Sequence, residues 1–257
     1  TWKSEPGETT YKAVLDSINA GYRHIDTARA YDNESDVGRA VKDSDTGRKE
    51  LFITTKLWNK HQGYDEAIEA CEKSLARLGC DYIDLYLIHW PLKGKRNDSW
   101  KALIELQQRG LCRSIGVSNF TIDNLVELEE KFGILPVANQ VEFHPYYYQK
   151  ELLEYCNSKN IVIEAYSPLV HAKRMDEARL VSISKEMSKT PAQILIRWAI
   201  QRGMVVLPKS VNEDRIIENF SVFDFEISDS LMKRLDDLNE SFVTCWDPHN
   251  PPSYAPV

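Results

Sequence analysis

No stretch of this chain stays apolar for anything near the roughly 20 residues that a bilayer-crossing helix needs, so no helical membrane anchor is expected. No basic-then-apolar leader precedes the first helical pattern, and a signal peptide is not expected either. Basic residues are outnumbered: 32 Lys and Arg stand against 39 Asp and Glu, a net charge of −7. An acidic chain without a basic block lacks the electrostatic footprint of a nucleic-acid binder. Cysteine is scarce, with only Cys71, Cys80, Cys112, Cys156 and Cys245. The count is odd, the spacing is irregular and no CxxC occurs, which excludes a disulfide framework and fits reduced thiols in the cytoplasm. Cys71 falls on an apolar helix face and reads as core. No GxGxxG follows a strand, so a Rossmann cradle is not expected. HxH and clustered carboxylates are also missing, which argues against a catalytic metal. His24 and Asp26 lie close together, but His24 reads as a core or second-layer residue.

What is present is alternation. Apolar residues make up 42% of the 257, enough for a sizeable core. That length suits one α/β barrel of roughly 250 residues or two small domains. Helical periodicity over residues 6–19, 34–41, 64–78, 99–109, 121–131, 149–159, 176–187, 190 onward, 214–220 and 228–238 alternates with short apolar runs. The runs at 24–27, 51–57, 82–89, 114–119, 137–142, 161–167 and 204–210 read as strands. Thr121 and Thr190 are placed to cap helices, the second with a following proline and a reaching glutamine. Strand–helix alternation of this number predicts a parallel (β/α)8 TIM barrel rather than an open sheet. No repeat and no linker divides the chain, so residues 1–257 read as a single domain with an irregular tail at 239–257. Only seven strands are found; Thr1 and Trp2 alone are left for a strand before the first helix.

The segment from Gly21 to Gly38 organises the rest. It reads as a buried strand that delivers Asp26 at its end, then a turn carrying Tyr31, then a helix. Taken alone, it could be an ordinary strand–loop–helix unit with a surface tyrosine. Lys56 and His89 also end strands, and in a parallel barrel all strand C-termini meet at one face. A carboxylate, a phenol, an ammonium and an imidazole are thus expected around one pocket. A free phenol has a pKa near 10, and a neighbouring ammonium is expected to lower it. At about 4 Å and an effective dielectric near 20 that pair is worth roughly 4 kcal/mol before solvent losses. Lys56 needs a counter-ion when half-buried, and Asp26 supplies one. Such a pocket suits proton delivery to a carbonyl oxygen while hydride reaches the carbon. None of the four carries hydride, so a nicotinamide cofactor is implied. Further along, Lys209, Ser210 and Arg215 put two cations and a hydroxyl beside a helix N-terminus, which suits a phosphate. A solvated basic helix start reads the same way.

Three segments, GYRHIDTARAYDNESDVG (21–38), RSIGVSNF (113–120) and LPKSVNEDRIIEN (207–219), together with Lys56 and His89, strongly resemble the aldo-keto reductase superfamily. The short segment at 92–99 is similar to its microbial branch, that of 2,5-diketo-gluconate reductase and prostaglandin F synthase. The resemblance implies NADPH-dependent reduction of aldehydes or ketones by a monomer acting on small-molecule carbonyl substrates. By position, Tyr31 is implied as general acid, Asp26 and Lys56 as its tuning pair, and His89 as the group that orients the carbonyl. Tyr166 is implied under the nicotinamide, Ser118, Asn119 and Gln140 at its carboxamide, and Ser167 and Leu169 at the pyrophosphate. Lys209, Ser210 and Arg215 are implied at the 2′-phosphate, Glu218 and Asn219 at the adenine, with Thr1, Trp2 and Val211 also beside the cofactor. Trp2, Trp58 and Trp90 are implied as pocket walls; elsewhere such tryptophans are more often core. The family's N-terminal hairpin and nearly all of its first strand are missing from the sequence, and the segments at 43–48 and 170–176 are short for the family. The other reading keeps the fold but not the reaction: a cofactor-binding or structural protein with little catalysis. The intact tetrad speaks against it.

Overall fold

The computed structural model describes residues 1–245. The tail beyond, with Trp246 and four prolines expected to help shape the pocket, lies outside the described residues. Among the described residues, seven strands form one parallel sheet: β1 His24–Asp26, β2 Phe52–Leu57, β3 Ile83–Ile88, β4 Cys112–Ser118, β5 Ala138–Glu142, β6 Val162–Tyr166 and β7 Val205–Leu207. Each pairs with the next in chain order. The result is a nearly closed barrel, with β1 and β7 at its two edges. The helices are α1 Glu8–Asn19, α2 Glu34–Asp43, α3 Asp65–Leu78, α4 Arg96–Gln108, α5 Ile122–Phe132, α6 Lys150–Ser158, α7 Ala178–Met187, α8 Pro191–Gln201, α9 Glu213–Phe220 and α10 Asp229–Asp236.

Side chains alternate across each strand, and the two faces are used differently. Outward residues such as Ile53, Tyr86, Ile115 and Ile163 join one large apolar cluster with the helices. Inward residues include the small apolar group Leu85, Leu87 and Ala138, and above it the polar strand ends. Both expected caps form: Thr121 and Thr190 each accept an N–H three residues on and receive the reciprocal side chain. Two boundaries are displaced by three residues, the largest shifts from expectation. α4 begins at Arg96 rather than 99, because Lys95 and Arg96 N–H both donate to Leu92 O and Arg96 pairs with Glu127 on α5. β7 keeps only three residues, since only Val205, Val206 and Leu207 find partners on β6.

Gly38 sets how closely α2 approaches α3. A Cβ there would sit 2.7 Å from the Leu78 carbonyl carbon and 2.9 Å from its Cα, both rigid backbone. Gly38→Ala is expected to destabilise by about 1–3 kcal/mol despite alanine's better helix propensity. A melting temperature at or above wild type would contradict this packing.

Candidate active site

β1 ends at Asp26, and Thr27 N–H continues the ladder by donating to Thr54 O (2.9 Å). The chain then makes one 3₁₀ turn, Arg29–Tyr31, closed by Asp32 in the left-handed region at φ 54°. Buried Asn33 holds this turn: its Oδ1 accepts from Thr27 Oγ1 (2.9 Å) and Thr1 Oγ1 (3.1 Å), and its Nδ2 donates to Thr1 O and Ser4 O. Tyr31 is thereby set over the end of β2, where Lys56 is fully buried. Lys56 Nζ donates to both Asp26 oxygens (2.7 Å each), to Thr27 O (2.8 Å) and to Tyr31 Oη (3.4 Å). The Tyr31 and His89 rings meet edge-on with centroids 5.7 Å apart, and Trp58 backs His89 at 5.2 Å. The four polar strand-end residues therefore converge as the sequence implied.

Electrostatics follow from burial and pairing. Burial works to raise the Asp26 pKa, but Lys56's charge and the hydrogen bonds from Lys56 and Gln140 hold it below the ordinary value. Burial works to strip Lys56 of its proton; Asp26, then Tyr31, keep it on. Burial, with Lys56's charge adding, takes His89 down to about 3, so its ring is neutral. Tyr31 corrects an expectation. Burial pushes it up to about 12, and Lys56 only partly opposes that, because Asp26 offsets the ammonium. The phenol is held as a proton-bearing donor rather than made acidic.

These groups open on a cavity of about 470 Å³. Its wall takes Asp26, Tyr31, His89 and Trp90 at one end, with Thr1, Trp2, Ser118, Asn119, Gln140 and Tyr166 around the middle. Ser167 and Leu169 follow, then Lys209, Ser210 and Asn219 at the other end. Tyr166 Oη donates to Asn119 Oδ1 (2.8 Å), while Asn119 Nδ2 donates to His89 O (3.0 Å). Five expected site residues lie outside this wall. Lys56 is fully buried behind it and meets the cavity through Asp26 and Tyr31. Val211 and Arg215 are exposed, Arg215 in the first turn of α9. Glu218 is turned to Thr190 at the start of α8 (2.5 Å). Trp58 stands behind His89 and clusters with Trp90, which does line the cavity. His24, expected as a core or second-layer residue, borders the cavity and bonds Thr54 Oγ1 at 2.8 Å.

Sequence reasoning missed two buried carboxylates. Glu142 ends β5 and accepts the N–H groups of Thr244 (2.7 Å) and Cys245 (2.9 Å), holding Cys245 in the cavity wall. Glu164 lies inside β6 and takes a hydrogen bond from Gln140 (2.8 Å). A charge in the middle of a strand-length apolar run was the available signal, since such a group is costly to bury without partners. His171 and Cys245 also line the cavity and carried no local signal.

Residues 1–240 match the Aldo/keto reductase family. The chain is 48% identical over 239 residues to a glyoxal reductase of Bacillus subtilis, covering 93% of this chain and 87% of that protein. It is 46% identical over 252 residues to a 9,11-endoperoxide prostaglandin H2 reductase of Trypanosoma cruzi, covering 97% and 89%. Among solved structures it superposes on a Gox0644 variant in complex with NADPH with a TM-score of 0.92, at 39% identity, covering 97% of this chain and 92% of that one. Among the described residues no group of His, Cys, Asp or Glu could hold a metal ion, and no helix is long and apolar enough to cross a membrane.

Proposed function

The chain belongs to the aldo/keto reductase family, and from that premise we propose that Tyr31 is the proton donor in an NADPH-dependent reduction of aldehydes or ketones. The observation that carries the assignment is the contact of Tyr31 Oη with buried Lys56 Nζ at 3.4 Å, with Tyr31 and His89 sharing the wall of one cavity. The residues present fit the cofactor. Gln140, Asn119 and Ser118 offer amide and hydroxyl groups in the wall, Tyr166 an aromatic surface, and Lys209 with Ser210 a cation and a hydroxyl at the far end for phosphate. Bound there, the nicotinamide supplies hydride to the carbonyl carbon. Arg215 is proposed to join Lys209 at the 2′-phosphate by virtue of its long exposed side chain. Glu218 and Val211 are proposed to border the adenine end.

The protein's own part is to place and neutralise charge on oxygen. Neutral His89 donates a hydrogen bond to the carbonyl oxygen and orients it. Tyr31 gives that oxygen its proton, and the phenolate left behind is stabilised by Lys56. Asp26 keeps Lys56 cationic, and solvent returns the proton. Because Tyr31 must be protonated and His89 neutral, reduction is favoured below about 12 and above about 3. The tetrad therefore predicts a kcat for reduction that stays flat from about pH 6 to 9.

The test is loss of NADPH absorbance with glyoxal and a generic aromatic aldehyde. Clear NADPH binding without turnover on any carbonyl would favour the non-catalytic reading instead. Lys209→Ala is expected to weaken NADPH about 10-fold or more and leave NADH unchanged, as a charge-assisted phosphate contact requires. Equal loss for both cofactors would remove Lys209 from that role. We read the chain as one folding unit because a single apolar cluster runs from Val14 to Leu238. The free thiols fit a cytoplasmic protein, and a monomer on gel filtration is expected.

A further inference from the structure

Gln140 and Glu164 are register partners on β5 and β6, so their side chains project side by side into the barrel. Both are almost wholly buried. Gln140 Nε2 donates to two carboxylates: Asp26 Oδ2 at 2.9 Å and Glu164 Oε2 at 2.8 Å. Two carboxylate acceptors around one atom identify it as the amide nitrogen, since a carbonyl oxygen there would face only lone pairs. One acceptor would hold the nitrogen but let the amide plane swing about that bond. Two acceptors, one for each hydrogen, fix the plane and with it the direction of Oε1. Gln140 is also part of the cavity wall.

We propose that Glu164 is a positioning residue that locks the Gln140 amide, so that Gln140 Oε1 is the fixed acceptor for the carboxamide N–H of the nicotinamide. This rests on the cofactor reading above and deepens it. Glu164 never touches the cofactor; it acts through Gln140. It also makes the lock sensitive to protonation. A neutral Glu164 is a weaker acceptor for the second Gln140 N–H, so its hold loosens and the amide can swing about its remaining bond to Asp26. The groups facing Glu164 are His24 (Nε2 to Oε1, 4.0 Å), Gln140, Asp26 and Lys56. Burial, reinforced by Asp26's charge, raises its pKa above the ordinary carboxylate value, against the pull of His24, Gln140 and Lys56. The folded-state pKa being raised, the lock is present above it and lost as pH falls through it.

The experiment compares NADP⁺ with its 3-acetylpyridine analogue, which keeps the ring carbonyl but lacks the carboxamide N–H. Affinities are measured by fluorescence titration, without turnover. Glu164→Gln is expected to weaken NADP⁺ by about 3- to 10-fold, the scale of one hydrogen bond, and to leave the analogue's affinity unchanged. Equal weakening of both ligands, or of neither, overturns the proposal. In the wild-type protein the preference for NADP⁺ over the analogue is expected to shrink as pH falls. Taking the ratio cancels titration of the phosphate the two ligands share, and this arm holds even if the variant does not fold. A ratio that ignores pH overturns the titrating lock. Failure of wild-type protein to bind either ligand would instead sink the cofactor reading itself.

Discussion

Tyr31→Phe is expected to lower kcat for aldehyde reduction by about 10²- to 10⁴-fold, the usual span for losing a positioned general acid. NADPH affinity should hardly change. The substitution removes one hydroxyl and keeps the ring that packs edge-on against His89 at 5.7 Å. It also leaves Lys56 its two Asp26 contacts and Thr27 O, so the fold should survive. Steady-state turnover with a cofactor titration on the same preparation checks both halves. Turnover within a few-fold of wild type would mean that another group protonates the oxygen, and His89 is a poor candidate because burial keeps its ring neutral.

Lys56→Met should be worse, because it damages stability as well as rate. Lys56 is fully buried and makes four hydrogen bonds. Removing it leaves Asp26 charged beneath Tyr31 without its Lys56 counter-ion, though still hydrogen-bonded by Gln140, and breaking such a buried pair typically costs about 3–5 kcal/mol. At about 2–4 °C per kcal/mol for a chain of this size, the melting temperature should fall by roughly 6–20 °C. The double variant Asp26→Asn with Lys56→Met separates the two effects. It removes the orphaned charge, so much of the stability should return, while activity stays lost because nothing stabilises the phenolate. A double variant no more stable than Lys56→Met alone would show that the pair is not the source of the loss.

The site was legible to different depths. Asp26, Tyr31, Lys56 and His89 could be grouped from the sequence because a parallel barrel gathers all strand C-termini on one face. The helix caps at Thr121 and Thr190 were equally plain, since a cap is a local pattern. Glu164 was not legible in the same way. Its meaning depends on which residue of β5 stands beside it, and register is a property of two strands. Glu142 was hidden for a related reason: its partners Thr244 and Cys245 are about a hundred residues away.

The chain alone determined the strand–helix alternation, the four chemical groups and the end of the barrel where they meet, because periodicity and residue type are carried locally. Folding decided how those groups behave. Burial, set against a partly neutralised Lys56, made Tyr31 a firmly protonated phenol where neighbouring charge alone suggested an acidic one. Desolvation depends on everything packed around a group, and that is assembled only when distant segments close over it.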